Sequence, residues 1–334
     1  MTTTIGVTYL ERELMRVELT GSHLISDHPV QYGGSGKGPS PGELLVASLV
    51  AASVLGTRKA ATRNGIELAG IVVRGALRVD REGTDGPLDT LAIISRLSRR
   101  FELAGSLSEE EAYRLIDDLG FAARFERGIA ISESVEFTLG EGKGQSDDWV
   151  NQALQNSGTA ESALAPGARI TADVSDWRVH AGEIAPGLVV VHLSGAPLLV
   201  SEDGRFGSST PSELMMASLA TCTTIYVARN GRFNDIPLEG VKVTVTADTS
   251  AGPPTHVEKR TWADGKLTLA QKAKAEFFAE FCAVGESLKR GIAVYNEIVV
   301  AEPQAAGPVT GDASYALAQL LSSSPACGDG SCCA

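Results

Sequence analysis

Apolar positions group into two kinds of run. Residues 41–64 and 211–230 are almost all apolar or small, too long for strands, and predict two buried helices. Shorter alternating runs surround them, at 71–79, 91–97 and 131–137, and again at 241–247, 256–262 and 295–301. With 188–193 and 198–200 these predict strands. Residues 108–125 and 269–289 carry apolar positions at helical spacing and predict one further helix in each half. Runs of strands with long helices between them predict an α+β fold rather than alternating βαβ units.

The pattern repeats. Residues 41–52 read PGELLVASLVAA and residues 211–222 read PSELMMASLATC, identical at six of twelve positions. Ile66-Glu67-Leu68-Ala69-Gly70-Ile71-Val72-Val73 then resembles Ile236-Pro237-Leu238-Glu239-Gly240-Val241-Lys242-Val243. Arg127-Gly128-Ile129-Ala130 returns as Arg290-Gly291-Ile292-Ala293. Three matches in one order predict a duplicated domain of ordinary size. The expected division is 1–140, a linker at 141–167, 168–305 and a tail at 306–334. The linker opens polar and Gly-rich at 140–147, and 150–154 predicts a short helix in it. A second linker is expected at 305–308, a terminal helix at 315–321, and a flexible Cys-bearing end from Ser322.

Composition narrows the classes. The 334 residues are 43% hydrophobic and 21% charged, which suits a globular protein. A net charge of −12 argues against nucleic acid or an anionic membrane as partner. The apolar stretch Leu44 to Leu55 is too short to span a bilayer, and no basic-then-apolar leader opens the chain, so a cytoplasmic protein is expected. The five cysteines, Cys222, Cys282, Cys327, Cys332 and Cys333, all lie beyond the first 221 residues. That excludes a disulfide scaffold and points to redox chemistry, metal binding or packing as small buried side chains.

Two segments resemble the OsmC/Ohr family. The first is Gly21-Ser22-His23-Leu24-Ile25-Ser26-Asp27, then Gly33-Gly34, then Gly38-Pro39-Ser40-Pro41-Gly42-Glu43-Leu44-Leu45. The second is Ser208-Ser209-Thr210-Pro211-Ser212-Glu213-Leu214 followed by Cys222. The resemblance covers about 5–140 and 168–305. It implies a swapped fold in which two copies wrap around two long central helices. Here one chain supplies both copies, as an intramolecular pseudo-dimer. It also implies thiol-dependent reduction of organic or lipid hydroperoxides, needing a dithiol reductant and no cofactor. Cys222 falls at the place of the family's nucleophile and Cys282 at that of its resolving thiol. In the first copy Ala52 and Leu119 stand at those places, so one half-site is expected to be degenerate.

The residues themselves leave alternatives open. A thiolate that attacks a peroxide becomes a sulfenic acid, which a second thiol condenses into a disulfide. Cys222 shares a helix face with Met215, Ser218, Leu219, Ile225 and Tyr226. These are pocket candidates for an apolar hydroperoxide, and equally the surroundings of an inert buried thiol. The family's helper glutamate directly follows the motif proline, where this chain has Ser212. Glu213 lies nine residues before Cys222, about 180° round the helix, and is read as the Glu of a capping box with Thr210. Ser40-Pro41-Gly42-Glu43 repeats that box in the copy without cysteine. The family's proline after the second cysteine is replaced by Ala283, so the helix is expected to run on through Cys282. Arg178 and Arg205 are candidates to support the thiolate, or solvated surface charges.

Cys327, Cys332 and Cys333 sit on a glycine-rich tether. They suit a soft metal ion, or a mobile dithiol that re-reduces the Cys222–Cys282 pair. Their spacing matches no zinc site, so the metal stays unassigned. A non-catalytic protein that captures a soft metal, metalloid or electrophile is therefore the alternative function. A scaffold that has lost catalysis is a third. Gly33-Gly34-Ser35-Gly36-Lys37-Gly38 fails the spacing of a phosphate loop and is read as a turn. The five histidines show no metal-binding spacing, and the C-terminus is no prenylation box.

Overall fold

The computed structural model describes residues 2–138 and 179–301, apart from 11–12, 21, 29, 31–33, 83–90, 106, 118–119, 129, 186, 196, 251 and 292. The expected linkers, the short helices at 150–154 and 315–321, Leu119, Arg178 and the three tail cysteines lie outside the described residues.

The first half runs β1 (Thr2–Tyr9), β2 (Met15–Leu19), β3 (Ser22–Ser26), α1 (Pro41–Arg63), β4 (Gly70–Glu82), β5 (Leu91–Ala104), α2 (Glu109–Asp117), α3 (Gly120–Arg127) and β6 (Ala130–Thr138). The second runs β7 (Val179–Ala185), β8 (Leu188–His192), β9 (Leu198–Ser201), α4 (Pro211–Phe233), β10 (Gly240–Asp248), β11 (His256–Asp264), α5 (Leu269–Glu280), α6 (Ala283–Arg290) and β12 (Ala293–Ala301). The fold is α+β, and its elements recur in the same order in both halves.

The strands are shared between the halves. One six-stranded sheet has the order β3-β2-β1-β10-β11-β6, and the other β12-β5-β4-β7-β8-β9. Each therefore mixes strands from both copies. Helix α1 packs on the second sheet, α4 on the first, and the two helices pack on each other. This gives the layers sheet, helix, helix, sheet. It explains why both helices read as apolar all round, since each is enclosed by a sheet and by its twin. α1 is 23 residues long and apolar enough to cross a membrane by length and composition, beyond what the stretch from Leu44 suggests, but 83% of its apolar window is buried in this core.

Both long helices start on the predicted capping boxes. Ser40 accepts from Glu43 N–H while Glu43 accepts from Ser40 N–H, and Thr210 and Glu213 do the same. The second oxygen of each glutamate reaches into the other copy. Glu213 accepts from Thr20 N–H at 3.0 Å, in the β2–β3 turn. Glu43 accepts from Ser194 N–H at 3.2 Å, in the β8–β9 turn, and from its hydroxyl. Each cap thus also fastens one copy to the other.

The repeated Arg-Gly-Ile-Ala has a backbone reason. Gly128 and Gly291 both lie at positive φ, 78° and 86°. The two turns abut, so a Cβ on Gly291 would come within 2.3 Å of Glu126 O, and one on Gly128 within 2.8 Å of Lys289 O.

Two expected helices are corrected. The helix expected over 269–289 breaks at Phe281 and Cys282, and the one expected over 108–125 is likewise two helices, α2 and α3. Ala283 does not carry the helix through. Cys282 takes extended backbone, φ −94° and ψ 148°, and its sulfur accepts Gly285 N–H as the N-cap of α6.

Candidate active site

α4 places Cys222 in the middle of its length, and the α5–α6 break places Cys282 against it. Cys282 is fully buried and Cys222 is partly exposed; both are free thiols. Cys222 and Cys282 act directly on each other. Three further groups converge. Gly285 N–H lies 3.3 Å from Cys282 Sγ, Val284 N–H lies 3.5 Å from Cys222 Sγ, and the Thr223 hydroxyl lies 3.2 Å from Cys282 Sγ. Gly285 leaves room for this, since a Cβ there would stand 3.1 Å from Cys282 Sγ.

A cation completes the group. Lys259 on β11 is 1% exposed, and its Nζ donates to Ala279 O at 2.7 Å, a carbonyl in the last turn of α5. One ammonium therefore closes the C-terminus of α5 and faces the thiols at the N-terminus of α6, both favourable ends for their charges.

These contacts divide the two thiols. The hydrogen bond from Cys222, the charge of Lys259, the Thr223 hydroxyl and Gly285 N–H hold the Cys282 thiol down at about 6, against its burial. The Cys222 thiol is pushed well above the ordinary range by its bond to Cys282, by burial and by the Cys282 charge. The surroundings thus favour charge on the buried Cys282 sulfur over the partly exposed Cys222 sulfur.

The other sequence candidates are placed as follows. Met215, Ser218 and Leu219 are at most 1% exposed; Met215 and Leu219 pack in the core, and the Ser218 hydroxyl donates to Pro41 O at 2.6 Å. Tyr226 packs edge-on to Phe278, and burial first, with the two thiols behind it, raises its phenol. Thr210 and Glu213 form the helix cap described above. Arg205 is exposed, 3.6 Å from Asp203 in its own loop. The glycine-rich turn closes on a carboxylate of the chain itself: Asp27 accepts from Ser35 N–H, Ser35 Oγ and Lys37 N–H at 2.9, 2.6 and 2.9 Å.

Sequence reading missed Lys259 and Thr223. A signal existed for Lys259, which occupies an inward position of the alternating strand β11, between Val257 and Thr261. The cysteine-free half keeps the same scaffold without sulfur. Arg99 stands on β5 opposite Gly75 as Lys259 stands on β11 opposite Val245, and Arg99 Nη1 donates to Ser53 Oγ at 2.7 Å, where Ser53 holds the place of Thr223. Among the described residues no three potential metal ligands cluster.

The family model for OsmC-like proteins matches residues 34–122 and again 204–296, more than half of the chain. The chain belongs to the OsmC family. Both matched regions contain a capped central helix, and only the second contains thiols. Among solved structures, an organic hydroperoxide resistance protein OsmC from Legionella pneumophila is similar at 24% identity and TM-score 0.28, over 35% of this chain and 81% of that one. A structure from Psychrobacter arcticus 273-4, named for osmotic stress induction and a detoxification response, is similar at 16% identity and TM-score 0.29, over 36% and 93%. No curated protein matches the chain.

Proposed function

We propose that this OsmC family protein reduces organic hydroperoxides with the Cys222–Cys282 pair and draws the electrons from an external dithiol. The observation that carries the reading is a partly exposed thiol beside a buried one, with Val284 N–H, Gly285 N–H and the Thr223 hydroxyl converging on the two sulfurs. Each property of the site then has a use. The Cys282 thiolate takes the proton of Cys222. The Cys222 sulfur attacks the distal oxygen of the hydroperoxide, forming an S–O bond and breaking O–O. The alkoxide takes the proton back from Cys282 and leaves as the alcohol. The Cys282 thiolate next attacks the sulfenic sulfur, forming the disulfide and releasing hydroxide. A dithiol returns both sulfurs to the starting state by exchange. Lys259 and the α6 N-terminus hold the negative charge wherever it stands in this sequence. The tail thiols are a second source of exchange, and a reducing cytoplasm suits either.

The test is consumption of cumene hydroperoxide with dithiothreitol by the full chain, by Cys222→Ser, by Cys282→Ser and by a chain ending at Pro325. Turnover is expected for the wild type and none for Cys222→Ser. Cys282→Ser, treated with the peroxide before any dithiothreitol is added, is expected to stop after one alcohol per chain, with a sulfenic acid on Cys222 that dimedone traps. An inert wild type with both thiols reduced would overturn the proposal. Stoichiometric uptake of a soft metal or metalloid, with no alcohol formed, would favour a binding protein instead.

A further inference from the structure

The thiol reading leaves the other half-site unused, and that half holds a cavity of about 880 Å³. Ala52 lines it, where the thiol half has Cys222. Counted from Pro41 and Pro211, Gly56 stands where Tyr226 does, and it also lines the cavity. Two large groups of the thiol half are thus replaced by a methyl and a hydrogen, and space opens between the copies.

The wall is not neutral. Lys59, Arg124 and Arg127 line it together with one acid, Glu202, which pairs with Lys59 at 3.3 Å. A local excess of positive charge on a chain of net charge −12 is a departure from its average. Arg124 is particular to this half, since Ser287 holds its place in the other. Its side chain borders the cavity, while its Nε is shielded within the protein. The N-terminus of the 23-residue helix α4 opens on the same space through Pro211 and Ser212 and adds a positive dipole end. Between the charges the wall is mixed, with Leu55, Phe121 and Pro253 on its apolar part and Thr210, Ser212, Thr249 and Ser250 on its polar part.

We propose that this half-site binds an organic carboxylate with an aliphatic tail. The arginines take the carboxylate, for which their planar fork is matched, and the apolar wall takes the tail. The volume falls within the range of ordinary small-molecule sites. With Ala52 in place of a cysteine, the ligand is held and not turned over.

Calorimetric titration of the full chain with decanoate tests this, with decanol and acetate as partners lacking the charge or the tail. One decanoate is expected per chain, bound at least tenfold more tightly than either partner, with affinity that falls as salt rises. Arg127→Gln, at an exposed position, and Arg124→Gln are each expected to weaken decanoate tenfold or more. Ala52→Phe is expected to abolish binding by filling the space, and Cys222→Ser to leave it unchanged. Thermal melting of each variant identifies any that fails to fold, and the exposed Arg127→Gln then decides. No saturable binding, equal binding of decanol, indifference to Arg127→Gln, or loss in Cys222→Ser would each overturn the proposal. Decyl phosphate bound tenfold more tightly than decanoate would overturn the carboxylate assignment.

Discussion

Lys259 sets the charge of the site from a strand whose chemistry lies 20 residues away in sequence, at Ala279 O. Lys259→Met keeps the length of the side chain and removes the charge. The thiolate absorbance midpoint, which Lys259 helps to hold below the ordinary thiol range, is expected to rise by about 1–3 in pH, with the fold retained. The sign for activity follows from the same group. Cys282 is charged above its lowered pKa, so the peroxide rate should fall as pH drops through about 6 and level off above it. His28 gives a second, independent titration. Burial first, and then the Arg229 charge, lower it from 6.5 to about 4. As pH falls, the unfolded chain takes that proton before the folded one does. Stability should therefore decline between pH 6.5 and 4, by about 3 kcal/mol at most, and His28→Gln should flatten urea midpoints across that window. The cysteines were legible because their residue type announces chemistry and the other copy lacks them. Lys259 was not, because an alternating strand shows which face is apolar, and a lysine on that face acquires meaning only from the carbonyl and thiols brought to it.

At the level of elements, the capping boxes were legible from Ser40 to Glu43 and from Thr210 to Glu213, since a cap is a local pattern. The reach of each glutamate into the opposite copy was not, because Thr20 and Ser194 are distant in sequence. These contacts separate a structural from a chemical role for Glu213. Glu213→Ala is expected to lower stability by about 1–3 kcal/mol in urea denaturation, from the lost cap and the orphaned Thr20 N–H. The thiolate midpoint should stay where it is. A shifted midpoint at unchanged stability would instead make Glu213 part of the chemistry. The break at Cys282 escaped sequence reading because residues 269–289 keep helical periodicity straight through it. Only the thiol's acceptance of Gly285 N–H, with Lys259 on the preceding turn, marks where one helix ends and the next begins.

For the whole molecule, duplication was legible from three short matches, and strand sharing entered only through the family resemblance. Nothing in β1 itself names β10 as its partner; the pairing Val7 to Val243 is set by the layers on either side. Because each sheet takes strands from both copies, neither copy can lose its fold while the other keeps it. A single calorimetric transition is expected, with van't Hoff and calorimetric enthalpies equal. Two separable transitions would argue for independent halves. The sharing also sets the two half-sites in one core, one with sulfur and one with a cavity. Peptide mapping of the chain after one equivalent of cumene hydroperoxide tests the thiol assignment most directly. A Cys222–Cys282 disulfide, formed with one equivalent of alcohol, is the expected product. Both thiols still reduced, or disulfides confined to Cys327, Cys332 and Cys333, would contradict it.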